Sequence, residues 1–180
     1  MDFLDCISSR RSIRQFSNLP VSRETIQEIV KATSFSPSWK NSQTVRYTVI
    51  DDPAVKAAVA EHIVPIFPNN ARIINNAPTL VVLSSIRYRC GYERDGSFST
   101  TKGDSWEMFD AGIAAQTFCL AAHNAGLGTV IMGIFDENTV ASHIHLPDNQ
   151  RVSALIAIGH PAETPGMPKR KDVTELLQFI

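Results

Sequence analysis

Residues 105–133 read SWEMFDAGIAAQTFCLAAHNAGLGTVIMG, the strongest helical signal in the chain followed by a turn into extended residues. It is alanine-rich and free of proline, which predicts one long helix from Ser105 to Ala125, closed by Gly126 as a left-handed C-cap. The run GTVIMGIF, residues 128–135, then predicts strand or extended chain. The spacing of Gly126 and Gly128 invites a dinucleotide-binding reading, which fails on direction. A dinucleotide turn leaves a strand and opens a helix, whereas these glycines leave a helix and enter a strand. They cap the helix and let backbone approach something flat, and the alanine-rich helix is read as the buried backbone of the core.

Toward the amino terminus, residues 87–104, RYRCGYERDGSFSTTKGD, are polar and aperiodic, a long surface excursion of the kind that carries function. The segment LVVLSSI, residues 80–86, introduced by NNAP, predicts an apolar strand. Residues 54–63, AVKAAVAEHI, predict a helix opened by Pro53 with Asp51 or Asp52 as its cap. In TVRYTVI, residues 44–50, Val45, Tyr47 and Val49 alternate with polar neighbours, which predicts a strand. Ser22 caps a helix with Ile26, Ile29 and Val30 on one face, ended by SFSPSWKNSQ; residues 2–9 form a short helix. Toward the carboxyl terminus, Asp136 caps a short helix through His143, and residues 151–160 are the last clear strand. The tail, residues 161–180, is proline-punctuated, basic in its middle and apolar at its end. Helices alternating with strands suit a parallel α/β sheet or an α+β one, and the pattern alone does not choose.

No repeat or low-complexity linker divides the 180 residues, so one domain over 1–180 is expected, with 43% hydrophobic and 19% charged residues to build it. A formal net charge of -1 gives no whole-molecule field that draws nucleic acid or an anionic membrane. No window reaches the ~20 apolar residues of a membrane span and no basic start precedes an apolar run, so a cytoplasmic address is expected. Cys6, Cys90 and Cys119 are odd in number and far apart, which predicts reduced, structural thiols. His143 and His145 alternate as a ligand pair would, but nothing adds a third ligand at metal-site spacing, so no metal is expected. Glu107 and Asp110 suit the positive end of the long helix.

The candidate binding residues sit in four short segments. SSRRSIRQFS, residues 8–17, crowds Arg10, Arg11 and Arg14 around Ser12. On a helix Arg10 and Arg14 share a face; in extended chain Arg10, Ser12 and Arg14 share a side. Either way two guanidiniums converge, and arginine forks fit phosphate oxygens; the plainer reading is a basic helix C-terminus. SPSWKNSQ, residues 36–43, places amides and hydroxyls on a turn that suits the edge of a planar heterocycle, or is an ordinary polar turn. The others are GLGTVIMG, residues 126–133, and PKRK, residues 168–171, which read alone is a solvated basic tail.

In this order, SRRSIRQF, PSWKNSQ, the alanine-rich helix running into GLGT, GHP and a terminal PKRK, the chain resembles the nitroreductase family of FMN-dependent oxidoreductases over nearly its whole length. The resemblance implies an α+β fold with a mostly antiparallel sheet flanked by helices, as an intertwined homodimer with FMN sites at the subunit interface. It implies hydride transfer from NADH or NADPH through flavin N5 to nitroaromatics, quinones or activated alkenes by a ping-pong mechanism, with no side chain in a chemical role. The alternative is a flavin store or sensor with little turnover.

Position by position, the resemblance gives Arg10 and Arg170 to the phosphate and counts Arg11 and Lys169 among the cofactor-binding residues. It gives Ser12 and Arg14 to the ribityl chain and pyrimidine edge. Pro37, Ser38, Trp39 and Asn41 would meet the partner's flavin, Asn70 the pyrimidine edge, and the backbone of Ile131, Met132 and Gly133 the ring near N5. Two positions depart from the family pattern. Ile73 stands where relatives often carry a lysine, leaving Arg14 or Arg72 as the cation near the ring, and Thr44 stands where a proline often follows the turn's glutamine.

Overall fold

A computed structural model describes residues 1–61 and 68–180. In chain order the elements are α1 (Phe3–Ser9), α2 (Arg23–Thr33), β1 (Val45–Ile50), α3 (Pro53–Glu61) and α4 (Pro68–Asn76). They continue with β2 (Thr79–Ile86), α5 (Ser105–Asn124), β3 (Gly128–Met132), α6 (Glu137–His143) and β4 (Gln150–Gly159). Single turns of 3-10 helix lie at Trp39–Asn41 and Val173–Glu175.

The caps form as the sequence leads one to expect. The Ser22 side chain accepts from the Thr25 amide, Asp136 from Thr139, and Asp52 from both Ala54 and Val55. α4 was not anticipated, because its asparagine-rich sequence PNNARIINN has weak intrinsic helix preference. What holds it is burial of Ile73 and Ile74 in the core. β3 stops at Met132, short of the extended run to residue 135. The last two residues of the helix expected over 54–63, His62 and Ile63, lie outside the described residues.

All four strands pair antiparallel in the order β1-β2-β4-β3, which settles the fold class as α+β. The two central strands are buried on both faces, and alternation divides their side chains between two cores. Leu80 and Val82 of β2 and Leu155 and Ala157 of β4 join α3, α4 and α6 through Val59, Ile73, Ile74 and Val140. Val81, Leu83, Ile156 and Ile158 face the other way, onto Ile26 and Ile29 of α2 and Ala111, Ala115, Phe118 and Ala122 of α5. The small residues of α5 let that helix lie close on the sheet, which is why it reads as apolar on several sides.

Two glycines mark where backbone approaches side chain. A Cβ on Gly128 would stand 2.5 Å from Ile13 Cγ1, and one on Gly159 2.6 Å from Pro78 Cδ and 3.0 Å from a Phe16 ring carbon. Ile13 and Phe16 thereby anchor residues 10–17 beside β3.

Candidate functional site

α1 ends at Ser9, and Arg10 turns the chain out of the helix with φ −56° and ψ 130°. Ser12 then forms a parallel bridge with Thr129 of β3, and the Ile13 amide donates to the Thr129 carbonyl at 3.0 Å. Of the two conformations open to the arginines, the extended one is adopted. Ile13 points into the core, while Arg14 is exposed. Ile131 is 45% exposed, and nothing lies within 4 Å of the position a Gly133 Cβ would take. The Met132 side chain is buried, so only its backbone is available to this surface.

The three guanidiniums behave differently. Arg11 donates to the Ser8 and Arg10 carbonyls at 2.7 Å, the helix-end role that the plainer reading gave it. Arg14 donates to the Ser12 carbonyl at 3.2 Å. Among the described residues neither Arg10 nor Arg14 has a carboxylate on its guanidinium. Glu163, which the sequence gave no reason to single out, accepts instead from the backbone amides of Arg14 and Gln15, at 2.5 and 3.1 Å. Arg10 also acts on α5: with burial and Arg11 it holds His123 below the ordinary histidine range, and His123 Nε2 lies 2.8 Å from Ser9 Oγ.

The turn at residues 36–43 is built differently. Lys40, Asn41 and Gln43 all adopt positive φ, 46°, 53° and 48°, a cluster of left-handed residues without a glycine. Such conformations persist only where surroundings enforce them. Here the Ser38 hydroxyl accepts from the Gln43 amide at 3.1 Å, and the Gln43 side chain donates to Asn41 Oδ1 at 3.1 Å. Asp110 of α5, 3% exposed, accepts the Trp39 amide at 2.8 Å. The Trp39 ring packs on Trp106 with centroids 4.7 Å apart. Four buried side-chain polar atoms of this short segment, Ser36 Oγ, Trp39 Nε1, Ser42 Oγ and Thr44 Oγ1, have no hydrogen-bond partner among the described residues. Ser36 and Thr44 open onto a groove of about 640 Å³ between α2 and β1, with Ile26, Val30, Val45, Tyr47 and Val49 on its walls. Burial there raises the Tyr47 phenol to about 12.

The excursion at residues 87–104 is pinned at its base by the carboxylates that open α5. Glu107, 2% exposed, accepts the Tyr88 amide at 3.0 Å, and Cys90 donates its thiol to Asp110 at 3.1 Å. Burial raises the Glu107 carboxyl above its usual range, opposed by the Tyr88 bond and by Arg151. Burial first, then the Asp110 bond and charge, push the Cys90 thiol well up, so it is an inert hydrogen-bond donor. Sequence reading placed Glu107 and Asp110 at the helix's positive end; their use as internal acceptors depends on burial.

Asn70 lies half-buried on α4, while Ile73 three residues on faces the core and Arg72 is exposed. Lys169 and Arg170 are exposed on the tail and make no hydrogen bond or ion pair to another described residue. His143 Nδ1 pairs with the Thr139 carbonyl at 2.8 Å, a local helix contact.

An open antiparallel sheet between two helical layers is the frame of an α+β protein. The chain belongs to the nitroreductase family, whose profile matches residues 7–160. It is 29% identical over 170 residues to a protein of Methanothermobacter thermautotrophicus provisionally named NADH dehydrogenase/NAD(P)H nitroreductase, covering 92% of this chain and 81% of that one. A nitroreductase family crystal structure from Clostridium novyi NT superposes with a TM-score of 0.79 at 27% identity, covering 97% of this chain and 91% of that one. A structure from Exiguobacterium sibiricum, solved in complex with FMN, shares the fold with a TM-score of 0.87 at 17% identity, covering 100% and 98%.

Proposed function

We propose that this chain is an FMN-dependent NAD(P)H oxidoreductase that acts as a homodimer on small electrophiles: nitroaromatics, quinones or activated alkenes. The observation that carries the reading is the row of Arg10, Ser12 and Arg14 beside the open Ile131–Gly133 edge, two of its guanidiniums lacking a counter-charge among the described residues. A guanidinium without a counter-charge is a ready partner for phosphate oxygens, and a planar ring fits an edge where one residue is glycine. The residues present therefore fit FMN. Arg10 would hold its phosphate with Arg170 and Lys169, and the nitrogens of Arg11 not engaged by α1 would add to them. Ser12 and Arg14 would take the ribityl chain and pyrimidine edge, with Asn70 at that edge. The backbone of Ile131, Met132 and Gly133 would line the ring. Bound there, FMN would supply two-electron hydride transfer between a nicotinamide nucleotide and the acceptor.

The second copy enters through the 36–43 turn and the tail. Four orphaned polar atoms and a strained backbone suit a segment completed by another surface, and Pro37, Ser38, Trp39 and Asn41 would meet the partner's cofactor. Leu176, Leu177, Phe179 and Ile180 are exposed on the tail. The outer edge of β1 borders the apolar groove, a surface that suits an added apolar segment from the partner.

The test is a visible spectrum of the purified protein followed by steady-state kinetics. A yellow protein with about one FMN per chain, and parallel double-reciprocal lines with NAD(P)H and a quinone or nitroaromatic, is expected. One ring face serving donor and acceptor in turn gives that pattern. Colourless protein that takes up no FMN overturns the reading, and bound flavin that excess NADH and NADPH bleach only slowly makes it a store or sensor.

A further inference from the structure

We infer that Asp110 is the positioning residue for the cofactor-facing turn, an inference that rests on the function proposed above. One oxygen of its carboxylate accepts both the Trp39 amide at 2.8 Å and the Cys90 thiol at 3.1 Å. It thus ties together the turn, 71 positions away in sequence, the excursion, 20 positions away, and α5, on which it sits. A buried carboxylate needs donors to offset its lost hydration, and this one draws them from two segments distant in sequence.

The Trp39 amide is the point of leverage. It opens the turn whose next residues, Lys40 and Asn41, are held left-handed. The Trp39 indole N–H is buried and without a partner among the described residues, so nothing at the ring's polar end fixes the ring. The backbone that carries it is held by the amide bond to Asp110. The ring itself packs on Trp106, tilted by 44° with centroids 4.7 Å apart, and under the Lys40 ammonium, 5.6 Å from its centroid and paired with Glu93 at 2.9 Å. Trp106 is in turn held by its own N–H on Thr100 Oγ1 at 2.8 Å. A charge-assisted bond at the first residue of a strained turn is a means of enforcing it. The neighbouring cofactor would then meet a turn already set in place.

Trp39 and Trp106 are the chain's two tryptophans, so their contact reports the turn directly. At this spacing the pair is expected to give a far-ultraviolet exciton couplet in circular dichroism, one that Trp39→Phe or Trp106→Phe abolishes. Asp110→Ala should lose at least half its amplitude and weaken FMN and riboflavin binding alike, about tenfold. Asp110→Asn, which keeps an acceptor oxygen, should restore both to within twofold, and Cys90→Ala should leave the couplet intact. Should Asp110→Ala fail to fold, Asp110→Ser takes its place, since it keeps the site polar yet falls short of the Trp39 amide. A full couplet in the alanine or serine variant overturns the inference. So does a lost couplet with flavin affinity unchanged, which leaves Asp110 a purely structural anchor. If the parent binds no flavin the proposed function fails by itself, and the couplet still decides whether Asp110 sets the turn.

Discussion

The arginine segment and the 36–43 turn are both candidate binding elements, and they are built in opposite ways. Residues 10–17 are ordinary extended backbone, bridged to Thr129, stapled by Ile13 and Phe16, and capped at two amides by Glu163. The turn holds three left-handed residues without a glycine and, with Thr44, four buried polar atoms lacking partners among the described residues. The backbone of the first is held within one chain, and Ser17 Oγ is its one buried side-chain polar atom without a partner among the described residues. The second has the marks of an element finished by something else, and in the proposed enzyme that is the partner's tail and cofactor.

The largest effect that separates the two is expected from the tail. A chain lacking Leu176–Ile180 keeps Lys169 and Arg170 but loses the apolar end proposed to cover the partner's groove. It should sediment as a monomer at micromolar concentration and hold FMN more than a hundredfold less tightly, because obligate interfaces of this kind are large and apolar. A flavin-loaded dimer from the truncated chain would make the turn as self-sufficient as the arginine segment.

Next in size is the phosphate grip. Charge-assisted bonds are worth about 1.5 to 3 kcal/mol each, so Arg10→Ala or Arg170→Ala should weaken FMN binding roughly ten- to a hundredfold at about 1.4 kcal/mol per decade. Riboflavin affinity should hardly change, and the double variant should depart from additivity because both arginines serve one phosphate. FMN affinity within twofold of the parent in both single variants would reduce the cluster to a solvated helix end. Arg14→Ala is the subtler case. Removing a cation from beside the ring should lower the flavin midpoint potential by about 30 mV, equivalent to ~1.4 kcal/mol for a two-electron couple, while largely sparing FMN affinity. Redox titration against a reference dye measures it.

How much of this was legible in sequence follows the same division. The alternation that puts Ser12 and Arg14 on one side is local, so the arginine segment could be read as one of two conformations, and the caps at Ser22, Asp52 and Asp136 are local as well. The pairing β1-β2-β4-β3 joins strands far apart in sequence, and no local period carries it. α4 escaped because its asparagines mask a helix that exists through the burial of Ile73 and Ile74. That same burial turns Ile73 into the core, where its side chain packs with Ile74 and Val59. Asp110 and Glu163 escaped for a related reason. An acid at a helix start or in a tail has a sufficient local explanation, and only the fold brings distant amides to it.

The smallest effect expected is the most selective. Burial, followed by the charges of Arg10 and Arg11, holds His123 below its usual range, so the folded chain binds its proton less readily than the unfolded chain does. The sign follows: this residue's contribution to stability is present above the unfolded histidine value, about 6.5, and is lost as pH falls through the lower folded value. A phosphate dianion held by Arg10 would offset the positive charge that His123 senses. Its titration, followed by NMR of the imidazole, should therefore move upward when FMN binds, by a fraction of a pH unit, and stay in place when riboflavin binds. FMN binding should accordingly take up a fraction of a proton near the histidine's titration range, and riboflavin binding none. Equal shifts with both ligands would move the phosphate away from Arg10 and leave the finished-looking arginine segment without its proposed ligand, whatever the turn on the other copy is doing.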